Sequence, residues 1–193
     1  IFAATLIGCD GDGGGDPDGD TDTDSTTLEC DTEFPDWETG DDGADITTPP
    51  PAGEARAGRI TSASDVPTGV KNKAEVGDFM MRNGRVLFVI EEGDASDGYQ
   101  PFGGEIVHAD LVGDDGEPLG RNLYGETING LSLRLLDPTS VSVIADGSDG
   151  GEAIVRVVGT ITNMPLLDVA FGFLFEVNDG VDYSADYVLG PDD

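Results

Sequence analysis

An all-β fold is predicted: an antiparallel β-sandwich of about nine strands built from sequential hairpins, behind a disordered acidic tail. Three observations lead there. Beyond about residue 56 the chain alternates short apolar runs with turn-forming residues. Asn-Gly and Asp-Gly pairs sit between such runs, and stretches of helical period are absent. The first 55 residues are instead dominated by Asp, Gly, Thr and Pro.

The chain opens on an apolar segment, Ile1 to Gly8, far shorter than the ~20 residues that cross a bilayer. Its end, Leu6-Ile7-Gly8-Cys9, has the form of a bacterial lipobox. Small residues before the scissile bond fit a narrow peptidase cleft, and the Cys9 thiol is the nucleophile that takes up a diacylglyceryl group. Residues 1–9 are therefore read as the end of a lipoprotein signal peptide. Two or more acyl chains, at ~0.8 kcal/mol per buried methylene, anchor a protein stably. The expected location is the bacterial cell envelope, on the outer membrane or cell surface, facing periplasm or exterior.

Residues 10–55 are expected to be a disordered linker. From Asp10 to Asp45 there are 15 acidic residues and no basic one. Like charge and few apolar side chains leave little to offset the ordering entropy. Thr47-Thr48-Pro49-Pro50-Pro51 should stiffen its end. Asp16, Asp18, Asp20, Asp22 and Asp24 alternate as in calcium loops. The EF-hand frame fails, however, because its Gly and Glu positions hold Thr21 and Thr27, or Ser25 and Asp31. Only weak Ca2+ association is expected there. Phe34, Pro35 and Trp37 are the apolar interruption of this linker.

The sandwich, 56–193, is expected to be truncated at its C-terminal end, since the chain stops just after a strand-like segment. Its strands are read as Ala57–Ser62, Val76–Arg82, Arg85–Ile90, Glu105–Leu111, Leu131–Leu136, Val141–Ala145, Ala153–Ile161, Val169–Val177 and Val181–Leu189. Asn83-Gly84 predicts a two-residue turn pairing Met81 with Val86 and Phe79 with Phe88. One face then carries Phe79, Met81, Val86, Phe88 and Ile90. Leu87 and Val89 on the other face predict a central hairpin. A three-residue loop at Asn178-Asp179-Gly180 places Phe171, Phe173 and Phe175 opposite Tyr187, Ala185 and Tyr183, all on one apolar face. Asp146 to Gly151 predicts a longer hairpin loop, and 114–129 a long irregular one.

The net charge of −31, from 40 acidic and 9 basic residues, excludes nucleic acid as a partner and disfavours direct docking on anionic lipid. Two cysteines do not make a disulfide framework, and lipidation of Cys9 leaves Cys30 without a mate in this chain. No phosphate loop, nucleophile elbow or zinc motif occurs, so no catalytic residue is assigned and no enzyme activity is expected of this chain. His108 and Asp110 share a strand face and are weak metal candidates, too few for a zinc shell. Glu91-Glu92 is a carboxylate pair of the sort glycoside hydrolysis uses, yet among 40 acids such pairs arise freely. Tyr99, Phe102 and Tyr124 lie in loop-like segments, where aromatics either stack on a sugar ring or cap the sandwich edge. The protein or glycan partner is left open.

Gly77-Asp78-Phe79-Met80-Met81-Arg82-Asn83, Val86 to Ile90, Gly103-Gly104-Glu105-Ile106-Val107 and Asp186-Tyr187-Val188-Leu189 resemble large β-sandwich domains. Such domains occur in lipoproteins of myxobacteria and related environmental bacteria. The resemblance, over 58–193, implies a non-catalytic binding or scaffolding domain. In some members it precedes a metal-dependent hydrolase of the polymerase-and-histidinol-phosphatase (PHP) type, whose metal-binding residues would lie beyond residue 193. A carbohydrate-binding sandwich is the other function such a fold would serve.

Overall fold

The computed structural model describes residues 2–5, 38–93, 96, 100–131, 134–164, 169 and 181–192. It is all-β, with two antiparallel sheets. The strands are β1 (Phe2–Thr5), β2 (Arg56–Arg59), β3 (Phe79–Arg82), β4 (Val86–Ile90), β5 (Ile106–Leu111), β6 (Gly130–Leu131), β7 (Arg134–Asp146), β8 (Ala153–Asn163) and β9 (Asp182–Leu189). One sheet runs β1-β9-β8-β7-β6 and the other β2-β3-β4-β5.

From residue 56 onward the sandwich rests on seven strands rather than nine, with Gly130–Leu131 a two-residue ladder end. The segments expected at 131–136 and 141–145 are largely one strand, β7, of 13 residues. Pro138 lacks an N–H and would break a regular ladder; here the register shifts between Pro138 and Ser140, a bulge that tolerates it. The expected strand 169–177, and with it the hairpin to 181–189, falls largely outside the described residues. Strand β9 pairs with β8 on one side and with Phe2–Thr5 on the other.

The inner faces follow the predicted alternation. Phe79, Met81, Ile90, Leu136, Val155, Val157 and Tyr187 are buried between the sheets, with Val86, Phe88 and Ala185 packed against them. Met80, Leu87 and Val89 point the other way. They form a second apolar cluster with Ile46, Ile60 and Ala74, so the four-stranded sheet is covered on both faces.

The first hairpin is central, but its register differs from the predicted one by two residues: Met81 lies opposite Phe88 and Phe79 opposite Ile90. Asn83 explains the longer turn. Its Oδ1 accepts from the backbone N–H of Arg85 at 2.8 Å and of Val86 at 3.0 Å, and its Nδ2 donates to Gly190 O at 2.9 Å. A side chain held this way closes an Asx turn, and Gly84 is not among the glycines at positive φ. Asn83→Ala removes all three bonds at a site 1% exposed. It should lower stability by about 2 kcal/mol, read as a shift in the urea midpoint.

The predicted linker also ends earlier than residue 55. Asp41 and Val143 exchange backbone hydrogen bonds at 3.1 and 2.9 Å, and Ala44 N donates to Ala57 O at 2.9 Å. Ile46 is buried in the second cluster and Ala55 in the main core. Residues 38–55 thus belong to the sandwich. Gly40 permits the approach: a Cβ there would lie 1.7 Å from Val143 O. Among the described residues, no helix is long and apolar enough to cross a membrane.

Candidate functional site

Strands β4 and β5 are joined by a loop that closes on its own neck. Glu91 N donates to Glu105 O at 2.9 Å and Gly104 N to Glu91 O at 3.0 Å. Gly104 sits at φ 84°, and a Cβ on it would meet Val157 Cγ1 at 2.7 Å, so glycine lets the neck lie against β8. The carbonyl of Gly104 accepts from Tyr187 Oη at 2.8 Å and from Asn129 Nδ2 at 2.9 Å.

This turns Glu105 into the sandwich, where the residue has no exposed surface. Gln100 folds back over it. Its Nε2 lies 3.3 Å from Glu105 Oε2, its Oε1 accepts from Asn129 N at 3.0 Å, and its own N–H donates to Glu126 Oε1 at 3.0 Å. Lys73 Nζ stands 3.6 Å from the other Glu126 oxygen. Burial, and then the charge of nearby Glu91, pushes the Glu105 carboxyl up to about 9. The second Glu105 oxygen, Oε1, is buried with no hydrogen-bond partner among the described residues. Burial also raises Tyr187 and Tyr124. The arrangement can store a proton. Glu105 is wholly enclosed, so a proton on its carboxyl is kept from solvent.

A second polar cluster lies on the outer face of β5. His108 and Asp110 share that face as predicted, and both are buried. His108 Nδ1 is 2.8 Å from Asn72 Oδ1 and 3.0 Å from Asn122 Nδ2. Both amides are oriented by backbone partners at Ala74 and Tyr124. The Asp110 oxygens accept from the N–H groups of Leu111 and Arg121, at 2.8 and 3.0 Å. Burial holds His108 below the ordinary imidazole range, with the Asp110 charge opposing it. These contacts pin the loops around 72 and 122 onto the sheet. Among the described residues no three His, Cys, Asp or Glu side chains are grouped to hold a metal ion.

The remaining sequence candidates do not converge. Leu6, Ile7, Gly8, Cys9 and Tyr99 lie outside the described residues. Phe102 is half-buried, and half-buried Tyr124 packs on the main core. Adjacent Glu91 and Glu92 do not act as a pair: Glu91 turns to Glu105, whereas Glu92 bonds Arg59. Sequence reasoning passed over Glu105 and Gln100, because an acid at a strand start normally reads as solvated. The one available signal was Gly103-Gly104, which announced a close backbone approach.

A cavity of about 120 Å³ lies between the sheets, lined by Met81, Phe88, Ile90, Ile106, Tyr187, Val188 and Leu189. It is well below the roughly 300–1,000 Å³ of small-molecule pockets. Comparison with protein-family models, with curated proteins and with solved structures finds no match in any of the three.

Proposed function

We propose that this chain is a lipid-anchored cell-envelope protein whose β-sandwich is non-catalytic and serves binding or scaffolding. The observation that carries the reading is the order of its parts: Leu6-Ile7-Gly8-Cys9, then an acidic spacer, then an independent sandwich. A non-catalytic role is supported by the enclosure of Glu105, the acid whose pKa is most strongly raised. With 38–55 docked on the sandwich, the free tether shortens to residues 10–37. It then spans roughly 30 Å at 5–6 Å times the square root of its length. Cleavage before Cys9 removes Phe2–Thr5, which pairs with β9.

Labelling of cells with a fatty acid analogue tests the anchor. Wild type should incorporate label and sediment with membranes, and Cys9→Ala should do neither. Equal label in the two proteins rules the lipobox out.

A further inference from the structure

His108, the single histidine of the chain, has no exposed surface, and its ring is held between two loop amides. Nδ1 is 2.8 Å from Asn72 Oδ1 and 3.0 Å from Asn122 Nδ2, so one nitrogen faces an acceptor and a donor at once. The backbone fixes which end of each amide is oxygen: Ala74 N donates to Asn72 Oδ1 at 3.2 Å and Tyr124 N to Asn122 Oδ1 at 2.8 Å. Nε2 is buried with no hydrogen-bond partner among the described residues. Strand β4 sets Val89 opposite the ring, and a Cβ on Gly69 would lie 3.4 Å from its Cε1. The charged and titratable groups on the elements packed round it are Asp110 on β5, Lys71 and Lys73 on the 69–74 segment, and Arg121 and Tyr124 on the 118–125 segment. Asp110 is the charge that acts on the ring, and Lys73 stands against Glu126.

We infer that Asn72 and Asn122 read the proton on His108 Nδ1 in opposite senses, so that protonation hands the ring from the 121–124 loop to the 72–74 loop. A ring nitrogen with a lone pair accepts from Asn122 Nδ2 and has nothing to give Asn72 Oδ1. A protonated one donates to Asn72 and sets its N–H against the N–H of Asn122. No tautomer serves both amides. The imidazolium carries a proton on each nitrogen, so of the two amides it bonds Asn72 alone. The backbone keeps its place during the exchange, because Arg121 N stays on Asp110 Oδ2 and Lys71 N on Asn122 O, at 3.0 and 3.2 Å. What changes is the hold on the Asn122 side chain, which is flanked by exposed Arg121 and by Leu123, 67% exposed. The device ties the acidity of the surroundings to the surface that these two residues present. It is a property of the fold and stands whether or not the chain is lipidated.

NMR of the full chain, titrated from neutral to acid pH, tests this, with the single imidazole read through its ring nitrogens. Burial holds the ring below the ordinary 6.5, so its transition is expected on the acid side of that value. The Asn122 side-chain amide and the backbone signals of Arg121 and Leu123 should move with the ring. Those of Val155 and Val157 on β8 should stay in place. A hydrogen bond to one protonation state favours that state. Asn122→Ala should therefore raise the midpoint and Asn72→Ala lower it, each by about one pH unit. Should either variant fail to fold, the wild-type Asn122 amide decides, because its protons shift when they lose the lone pair of the ring. Substitutions that move the midpoint in the same direction overturn the inference. So does an Asn122 amide that stays still while the ring titrates, a ring that never titrates, or a change shared with Val155 and Val157.

Discussion

Glu105→Gln should stabilise the folded chain at pH 7 by on the order of 3 kcal/mol and flatten its pH dependence. The unfolded carboxyl titrates near 4.5 and the folded one near 9. Between these values the folded state binds the extra proton, so the Glu105 contribution to stability is fully present below about pH 4.5 and declines as pH rises toward 9. Above that it levels off. This is opposite to the behaviour of a salt-bridged acid, whose stability contribution is lost on acidification. Each pH unit inside the window is worth ~1.4 kcal/mol, and pH 7 lies more than two units above the lower limit. Glutamine cannot ionise, so the variant carries no such penalty. Urea unfolding at pH 5, 7 and 9 measures the effect, with every other carboxyl common to both proteins. Parallel pH profiles for wild type and variant would show that Glu105 is not held neutral.

Gly159→Ala should cost about 3 kcal/mol, as overpacking that no rotamer change relieves. Gly159 lies opposite Pro138, at the bulge in β7. A Cβ there would sit 2.1 Å from Asp137 O and 2.7 Å from Pro138 Cα, both backbone atoms. The thermal midpoint should fall by many degrees. Gly84→Ala is the contrast: no atom lies within 4 Å of the added methyl group, and stability should change by no more than about 0.5 kcal/mol. If the two substitutions cost the same, the β7–β8 contact is not as close as described.

That contrast also shows what local reading reaches. Asn83-Gly84 marked a turn correctly, because turn residues act through their own dihedrals and near neighbours. The turn was still longer than predicted, since Asn83 is also drawn to Gly190, 107 positions away in the chain. Gly159 carried no signal at all. Its need for glycine comes from Asp137 and Pro138 on another strand. The acids behave alike: nothing local marks Glu91, Glu105 and Glu126 as neighbours until the neck of the β4–β5 loop brings them together.

Sequence alone determined the all-β class and which residues of the first hairpin face inward, and its Leu6-Ile7-Gly8-Cys9 run and acidic spacer motivate the proposed anchor. Phe79, Met81, Phe88 and Ile90 stay on the core face because side-chain period in a strand is two, and a register shift of two residues preserves it. Tertiary structure decided that register, the fusion of two expected strands into Arg134–Asp146, and the docking of 38–55. It also decided the enclosure of Glu105 beneath Gln100. Each of these depends on pairs of groups distant in the chain, whose energies exist only once the sheets have closed around them.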